Sequence, residues 1–333
     1  MIALLQFFAL AAAIGWAGFH LCRYADKISD RTGLGRNWVG LVLLSTITSL
    51  PELSSGVSAV WITENADLAV GDVMGSCVFN LALVFLLDLM SRDGPVFSKA
   101  KKGHLLSGAL GVILLSWVAF GILVGHQYLP FQIGHVGGYS MVIPLFYVLA
   151  MRTLFRFEAA ETPTDSRPPK PAEDGRLLYS YFTLAALVVV ACGVALPAVG
   201  KSIQEAMGWN ESFVGTIFVA IATSVPEAAV TVGAVRLRAH DLAFSNLLGS
   251  NIFNMVILSV DDLFYRKGPL LRDASQAHAV TTISAILMTG LVLTALITSP
   301  KRRWLNSVTA LSVLLLAVYL VNAWIVFRMG AGG

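Results

Sequence analysis

Two short stretches of this 333-residue sequence carry the same hard-oxygen chemistry. The first holds Thr48, Ser49, Pro51 and Glu52; the second holds Thr223, Ser224, Pro226 and Glu227. Each lies about ten residues into a long apolar run, which puts both glutamates near the middle of a membrane span. A carboxylate at that depth costs at least about 2.5 kcal/mol, so a matched pair points to a purpose. Proline has no N–H, so Pro51 leaves the carbonyl of Ile47 without a helical partner, and Pro226 does the same for Ala222. Such a break is tolerated in a membrane only where other protein or a wet cavity satisfies it. Thr48 and Glu52 are four residues apart and share a helical face, as do Thr223 and Glu227. Each break therefore presents hydroxyl, carbonyl and carboxylate oxygens together.

The following apolar runs add Ser76 with Asn80 and Ser250 with Asn254, again four apart. Gly75 and Gly249 precede them and allow helices to approach closely. A set made of hard oxygens alone suits calcium, sodium or magnesium and argues against zinc or copper. Two ionised glutamates match the charge of one calcium ion. The same pair can be shared by sodium ions or protons, and competition for it is a physical basis for exchange.

The elements that position these residues are membrane helices. Charged residues make up 13% of the chain, against roughly 25% in an ordinary soluble domain. With a mean hydropathy of +0.74, the chain cannot form the polar shell of a soluble protein. The same numbers exclude disorder, a nucleic-acid-binding surface and a secreted disulfide scaffold. Cys22, Cys77 and Cys192 fall in apolar stretches and read as packing residues. Ten runs are long enough to span: 2–22, 38–62, 67–90, 104–125, 135–154, 177–199, 213–235, 241–263, 277–298 and 304–327. The first reads as a retained span, not a signal peptide. Residues 156–176, rich in proline and mixed charge, form a linker too short for a regulatory domain. Eighteen of the 23 Lys and Arg fall on the linker side, which places the linker in the cytoplasm and both termini outside it.

An internal repeat divides the chain. WVGLVLLSTITSLPELSSGVSAV (38–60) matches FVGTIFVAIATSVPEAAVTVGAV (213–235) at an offset of 175. One deletion later, DLAVGDVMGSCVFN (67–80) matches DLAFSNLLGSNIFN (241–254). Five spans separate equivalent points, so the second copy enters the membrane from the opposite side. The expected fold is all-α: a polytopic membrane protein of ten transmembrane helices in two inverted five-helix repeats. Its halves are 1–155, with repeat 1 at 38–90, and 177–333, with repeat 2 at 213–263. Inverted repeats place a transport site at the midplane between the copies.

These paired segments resemble the alpha-repeats of the sodium/calcium exchangers, within the calcium/cation antiporter superfamily, in their prokaryotic form. The resemblance implies exchange of sodium for calcium by alternating access, in a prokaryotic plasma (inner) membrane, with no cofactor and no nucleic-acid partner. The transported ions are calcium and sodium, or protons in place of sodium in an alternative reading as a proton-coupled divalent cation antiporter. The family's ion ligands map onto Thr48, Ser49, Glu52, Ser76 and Asn80, and onto Thr223, Ser224, Glu227, Ser250 and Asn254. The backbone carbonyls of Ser45 and Ala220 map as further ligands. This chain departs from the family in carrying Ile47 and Ala222 where glycine is usual, and Cys77 where asparagine is usual. Some prokaryotic relatives carry aspartate where Asn254 stands. Asp72 stands where asparagine is common; it reads as an interfacial residue, with an accessory cation or proton site as the alternative.

Other polar residues read as bystanders. His20, His104, His126, His135, His240 and His278 sit at span ends or loops without ligand spacing. Asp88, Asp261 and Asp262 close their spans and read as solvated. No hydrolase, metalloprotease or phosphate-loop motif occurs, so the chain is expected to be a transporter and not an enzyme. A cation channel is disfavoured, because inverted repeats in one chain cannot form a ring about an axis along the membrane normal.

Overall fold

The apolar runs fold into helices. The computed structural model describes residues 2–33, 36–91, 94–99, 103–125, 131–161, 175–207, 219–304 and 308–331. Its main helices are α1 (Ile2–Thr32), α2 (Leu50–Trp61), α3 (Ala66–Met90), α4 (Gly103–Val124) and α5 (Gly138–Glu161). They continue as α6 (Gly175–Met207), α7 (Val225–Arg236), α8 (His240–Phe264), α9 (Ala277–Thr298) and α10 (Ala310–Ala331). Among the described residues, the eight other than α2 and α7 are long and apolar enough to cross a membrane. The chain is thus a multi-pass membrane protein. Residues 213–218 of the expected seventh span, most of the linker and His126 lie outside the described residues.

Several helices outrun their apolar cores. α1 continues ten residues past Cys22, through a segment whose Asp26 pairs with Arg36. The hydrophobic run sets where the membrane lies, while polar residues with adequate helix propensity carry the helix beyond it.

α2 and α7 are short for a physical reason. Upstream of α2 the chain forms a π-helix at Val39–Leu44 and one α-turn at Ser45–Thr48. Helix stops at Ser49 (φ −91°, ψ 6°) and resumes with Pro51 in the first turn of α2. Ser224 repeats this geometry (φ −86°, ψ 8°) ahead of α7, with Pro226 in the first turn. Proline is at home there because a first-turn N–H has no intrahelical partner. The breaks expected from Pro51 and Pro226 are therefore present, centred on the serines.

α8 is the axis of the bundle: 83% of its apolar window is buried, against 17% for α10 at the rim. It packs against α2, α3, α4, α5 and α7. Gly249 brings it backbone-to-backbone with the π-helix, since a Cβ there would stand 2.9 Å from Leu41 Cα. Phe8, Leu145, Leu187 and Trp324 point outward with more than 60% exposure, forming the apolar exterior a bilayer requires.

Asp88, Asp261 and Asp262 are fully buried, which corrects the reading that they are solvated. Asp88 Oδ1 accepts from the Val96 amide at 3.2 Å, and Asp88 Oδ2 from the Thr309 amide at 2.8 Å and the Ser312 hydroxyl at 2.7 Å. Asp262 Oδ1 accepts from the Leu270 amide at 2.6 Å and its Oδ2 from the Gly137 amide at 2.8 Å. Each carboxylate thus ties the loop after its own helix to the start of a helix in the other half, α10 for Asp88 and α5 for Asp262. Unpaired amides at a helix start attract a carboxylate. Apolar patterning carries no sign of such long-range partners.

Candidate cation site

Both helix breaks meet α3 and α8 at the centre of the bundle. Thr48, Ser49, Glu52, Ser76 and Asn80 are fully buried there, as are Thr223, Ser224, Glu227, Ser250 and Asn254. Eight of the ten residues expected from the sequence exchange hydrogen bonds with one another, while Asn80 and Asn254 bond to Asn251 and Cys77 on α8 and α3.

The two halves are stitched crosswise. Ser224 Oγ donates to Glu52 Oε1 at 3.0 Å, and Ser49 Oγ donates to Glu227 Oε1 at 3.2 Å. Ser250 Oγ also donates to Glu227 Oε1 at 3.2 Å, while Ser224 Oγ lies 3.0 Å from Ser76 Oγ. The threonines cross too: Thr48 Oγ1 reaches Asn246 Oδ1 at 3.3 Å, and Thr223 Oγ1 reaches Asp72 Oδ1 at 3.1 Å. Asn80 Nδ2 donates to Asn251 Oδ1 at 3.1 Å, and Asn254 Nδ2 approaches Cys77 Sγ at 3.6 Å. Helix spacing placed these side chains on the right faces; only folding brought equivalent faces together.

Four buried oxygens of the set make no hydrogen bond within the protein: Glu52 Oε2, Glu227 Oε2, Asn80 Oδ1 and Asn254 Oδ1. Buried polar atoms are normally paired, and acceptors without a donor are the kind of group a cation can satisfy. The Ser45 and Ala220 carbonyls are already engaged, by the Ser49 and Ser224 amides at 3.0 and 3.1 Å and by the Thr48 and Thr223 hydroxyls.

Asp72 is 1% exposed, which corrects its reading as interfacial. It occupies the place that Asn246 holds in the other half, and its Oδ2 has no hydrogen-bond partner. The rise along α3 gives depth from the helix start alone, whereas the packing of α7 against α3 is a tertiary contact that sequence does not carry.

The symmetry also exposes residues that motif reading passed over. Gly193 of α6 faces both breaks: a Cβ there would stand 3.2 Å from Pro51 Cβ and 3.6 Å from Pro226 Cγ. Its counterpart at the same 175-residue offset, Gly18 of α1, meets Ala229 Cβ at 2.8 Å. His104 Nε2 lies 2.9 Å from Asp241 Oδ1, and His278 Nε2 lies 3.0 Å from Asp67 Oδ1. Both members of these pairs recur at an offset of 174, so each histidine binds the acid that opens α3 or α8 of the opposite half. His104 and His278 do sit at span ends, as expected; what the sequence did not show is their aspartate partners. The repeat offset, extended beyond the motifs, was the signal that would have found them.

The model of the family described as "Sodium/calcium exchanger protein" matches residues 2–159 and 177–328. The chain belongs to the sodium/calcium exchanger family. Among its relatives, inner membrane protein YrbG of Escherichia coli (strain K12) is 27% identical, over 79% of this chain and 82% of that protein. The putative antiporter CaxA of Alkalimonas amylolytica is 24% identical over 86% and 88%. The sodium/calcium exchanger MaX1 of Methanosarcina acetivorans is 25% identical over 74% and 78%. Among solved structures, the sodium-calcium exchanger NCX_Mj soaked with sodium and strontium superposes with a TM-score of 0.72 at 19% identity, over 96% of this chain and 97% of that one. At that identity the likeness establishes an exchanger fold.

Proposed function

We propose that this exchanger-family protein is a secondary active antiporter that exchanges sodium for calcium by alternating access. Its ion site is formed by Thr48, Ser49, Glu52, Ser76 and Asn80 with Thr223, Ser224, Glu227, Ser250 and Asn254. The carrying observation is the crossed pair of hydrogen bonds, Ser224 to Glu52 and Ser49 to Glu227, which joins one carboxylate from each half and leaves one oxygen of each free. Two such charges match one calcium ion, and several sodium ions can compete for the same oxygens. The pairing of equivalent residues at both breaks supports two inverted five-helix halves, 1–155 and 177–333, with the broken helices as the second and seventh of ten spans. The charge distribution supports a cytoplasmic linker and extracytoplasmic termini, and the resemblance to prokaryotic exchangers supports a plasma (inner) membrane.

The test is calcium uptake into proteoliposomes loaded with sodium. Exchange that needs the sodium gradient and disappears in Glu52→Gln and Glu227→Gln supports the reading. Uptake that survives either substitution in a folded protein removes the site assignment. The presence of Asp72 as a third carboxyl on the hydrogen-bonded set favours a second reading, in which protons replace sodium. Calcium transport that persists with the sodium gradient dissipated and the pH gradient intact selects that reading.

A further inference from the structure

Asp261, on α8, is fully buried, and neither of its carboxylate oxygens has a hydrogen-bond partner. That sets it apart from Asp88 and Asp262, whose oxygens take backbone amides, and from Glu52, Glu227 and Asp72, each with one oxygen engaged. Across from it stands Gly56 of α2, where a Cβ would lie 2.7 Å from Asp261 Oδ1. Glu52 is four residues earlier on that helix, about 6 Å along its axis. Among the described residues, the charged groups near enough to act on Asp261 are Asp72 of α3 and Asp262 of its own helix, both acids. Asp72 acts on Glu52 as well. From the α5 side, half-buried His135 binds the Leu263 carbonyl at 2.9 Å, beyond the carboxylate.

A carboxylate enclosed this way, with negative neighbours and no donor, requires a positive charge upon it. The feature is also one-sided. Its repeat counterparts at offsets of 174 and 175 are Leu87 for Asp261, Asn246 for Asp72 and Thr231 for Gly56, so the opposite half carries no acid at the equivalent place. The ends of α2 and α8 adjoin, with Trp61 against Phe264 at 5.5 Å between ring centroids. Asp261 therefore stands between Glu52 and that face of the bundle, within a turn of the end of α8.

We propose that Asp261 heads a second cation-binding site, separate from the crossed glutamates, holding one small monovalent cation between α2, α3 and α8 on one side of the membrane only. A proton and a sodium ion both meet the requirement of a single compact positive charge. The proposal concerns a site outside the ten residues of the exchange site and does not depend on calcium transport.

Infrared spectra of the purified full-length protein in calcium-free detergent solution test it. In choline buffer, the unaltered protein should show a protonated-carboxyl C=O band that is lost in Asp261→Asn and returns at a shifted frequency in Asp261→Glu, which controls for a folding defect. Gly56→Ala should shift the same band, because its Cβ presses on Oδ1. Loss of the band on adding sodium assigns the site to sodium in exchange for a proton; persistence at saturating sodium assigns it to the proton alone. Superimposable spectra of the unaltered protein and Asp261→Asn would overturn the proposal. The Asp261 band should persist in Glu52→Gln, so failure of the central site and failure of this one read separately.

Discussion

Ser224 Oγ donates to Glu52 Oε1 at 3.0 Å, across 172 residues of sequence, and it is the side-chain donor that holds this carboxylate. The mirror carboxylate, Glu227, takes hydrogen bonds from both Ser49 and Ser250. The two halves of the site are thus alike in design and unequal in support.

That inequality predicts an order of effects. A hydrogen bond to a charged group contributes about 1.5–3 kcal/mol. Ser224→Ala strips Glu52 of its donor and should weaken calcium binding by roughly tenfold or more. Ser49→Ala leaves Ser250 on Glu227 and should cost several-fold less. Calorimetric titration of the purified variants with calcium measures both, and equal losses would contradict the asymmetry.

Gly193 should be intolerant of any side chain. Its Cβ would press on Pro51 and approach Pro226, forcing α6 away from both breaks. Overpacking of this kind costs about 1–3 kcal/mol. Gly193→Ala is expected to lower the thermal unfolding temperature in detergent and slow exchange in proteoliposomes. Gly15→Ala, on α1 with nothing within 4 Å, should change neither.

Asp88 and Asp262 should matter for stability and not for ion affinity. Replacing either by alanine leaves buried amides without acceptors, at about 1–3 kcal/mol for each group. A drop in thermal stability with unchanged calcium affinity is expected for both. Solvated residues would give changes within about 0.5 kcal/mol, and such a result would restore the sequence reading.

The two His–Asp pairs should differ in strength. His104 is wholly buried beside Asp241, whereas Asp67, the partner of His278, is 56% exposed by side chain. An exposed pair contributes about 0–1 kcal/mol. His104→Ala should therefore destabilise more than His278→Ala in parallel thermal melts, with the salt dependence confined to the His278 pair.

Much of the site was legible before folding because its chemistry is local. The Thr–Glu spacing of four, the proline after each Ser and the Ser–Asn spacing of four place oxygens on single helical faces whatever surrounds them. The repeat then indicated that two such faces belong together. What escaped notice involved partners far apart in sequence. Position along a single helix makes Asp72 interfacial, and a polar residue at a span end, such as Asp88, is usually solvated. Neither reading could include Thr223, 151 residues away, or Thr309, 221 residues away.

By itself, then, the sequence determined the membrane setting, the positions of the helix breaks and the types of atom at the site. Those follow from hydropathy, from the missing N–H of proline and from helical periodicity, which are properties of short segments. The tertiary structure decided which oxygens are spent and which remain. It crossed Ser224 to Glu52 and Ser49 to Glu227, buried Asp72 and left Asp261 without a partner. Hydrogen-bond satisfaction is a property of the packed interior, where each group's partner comes from another helix.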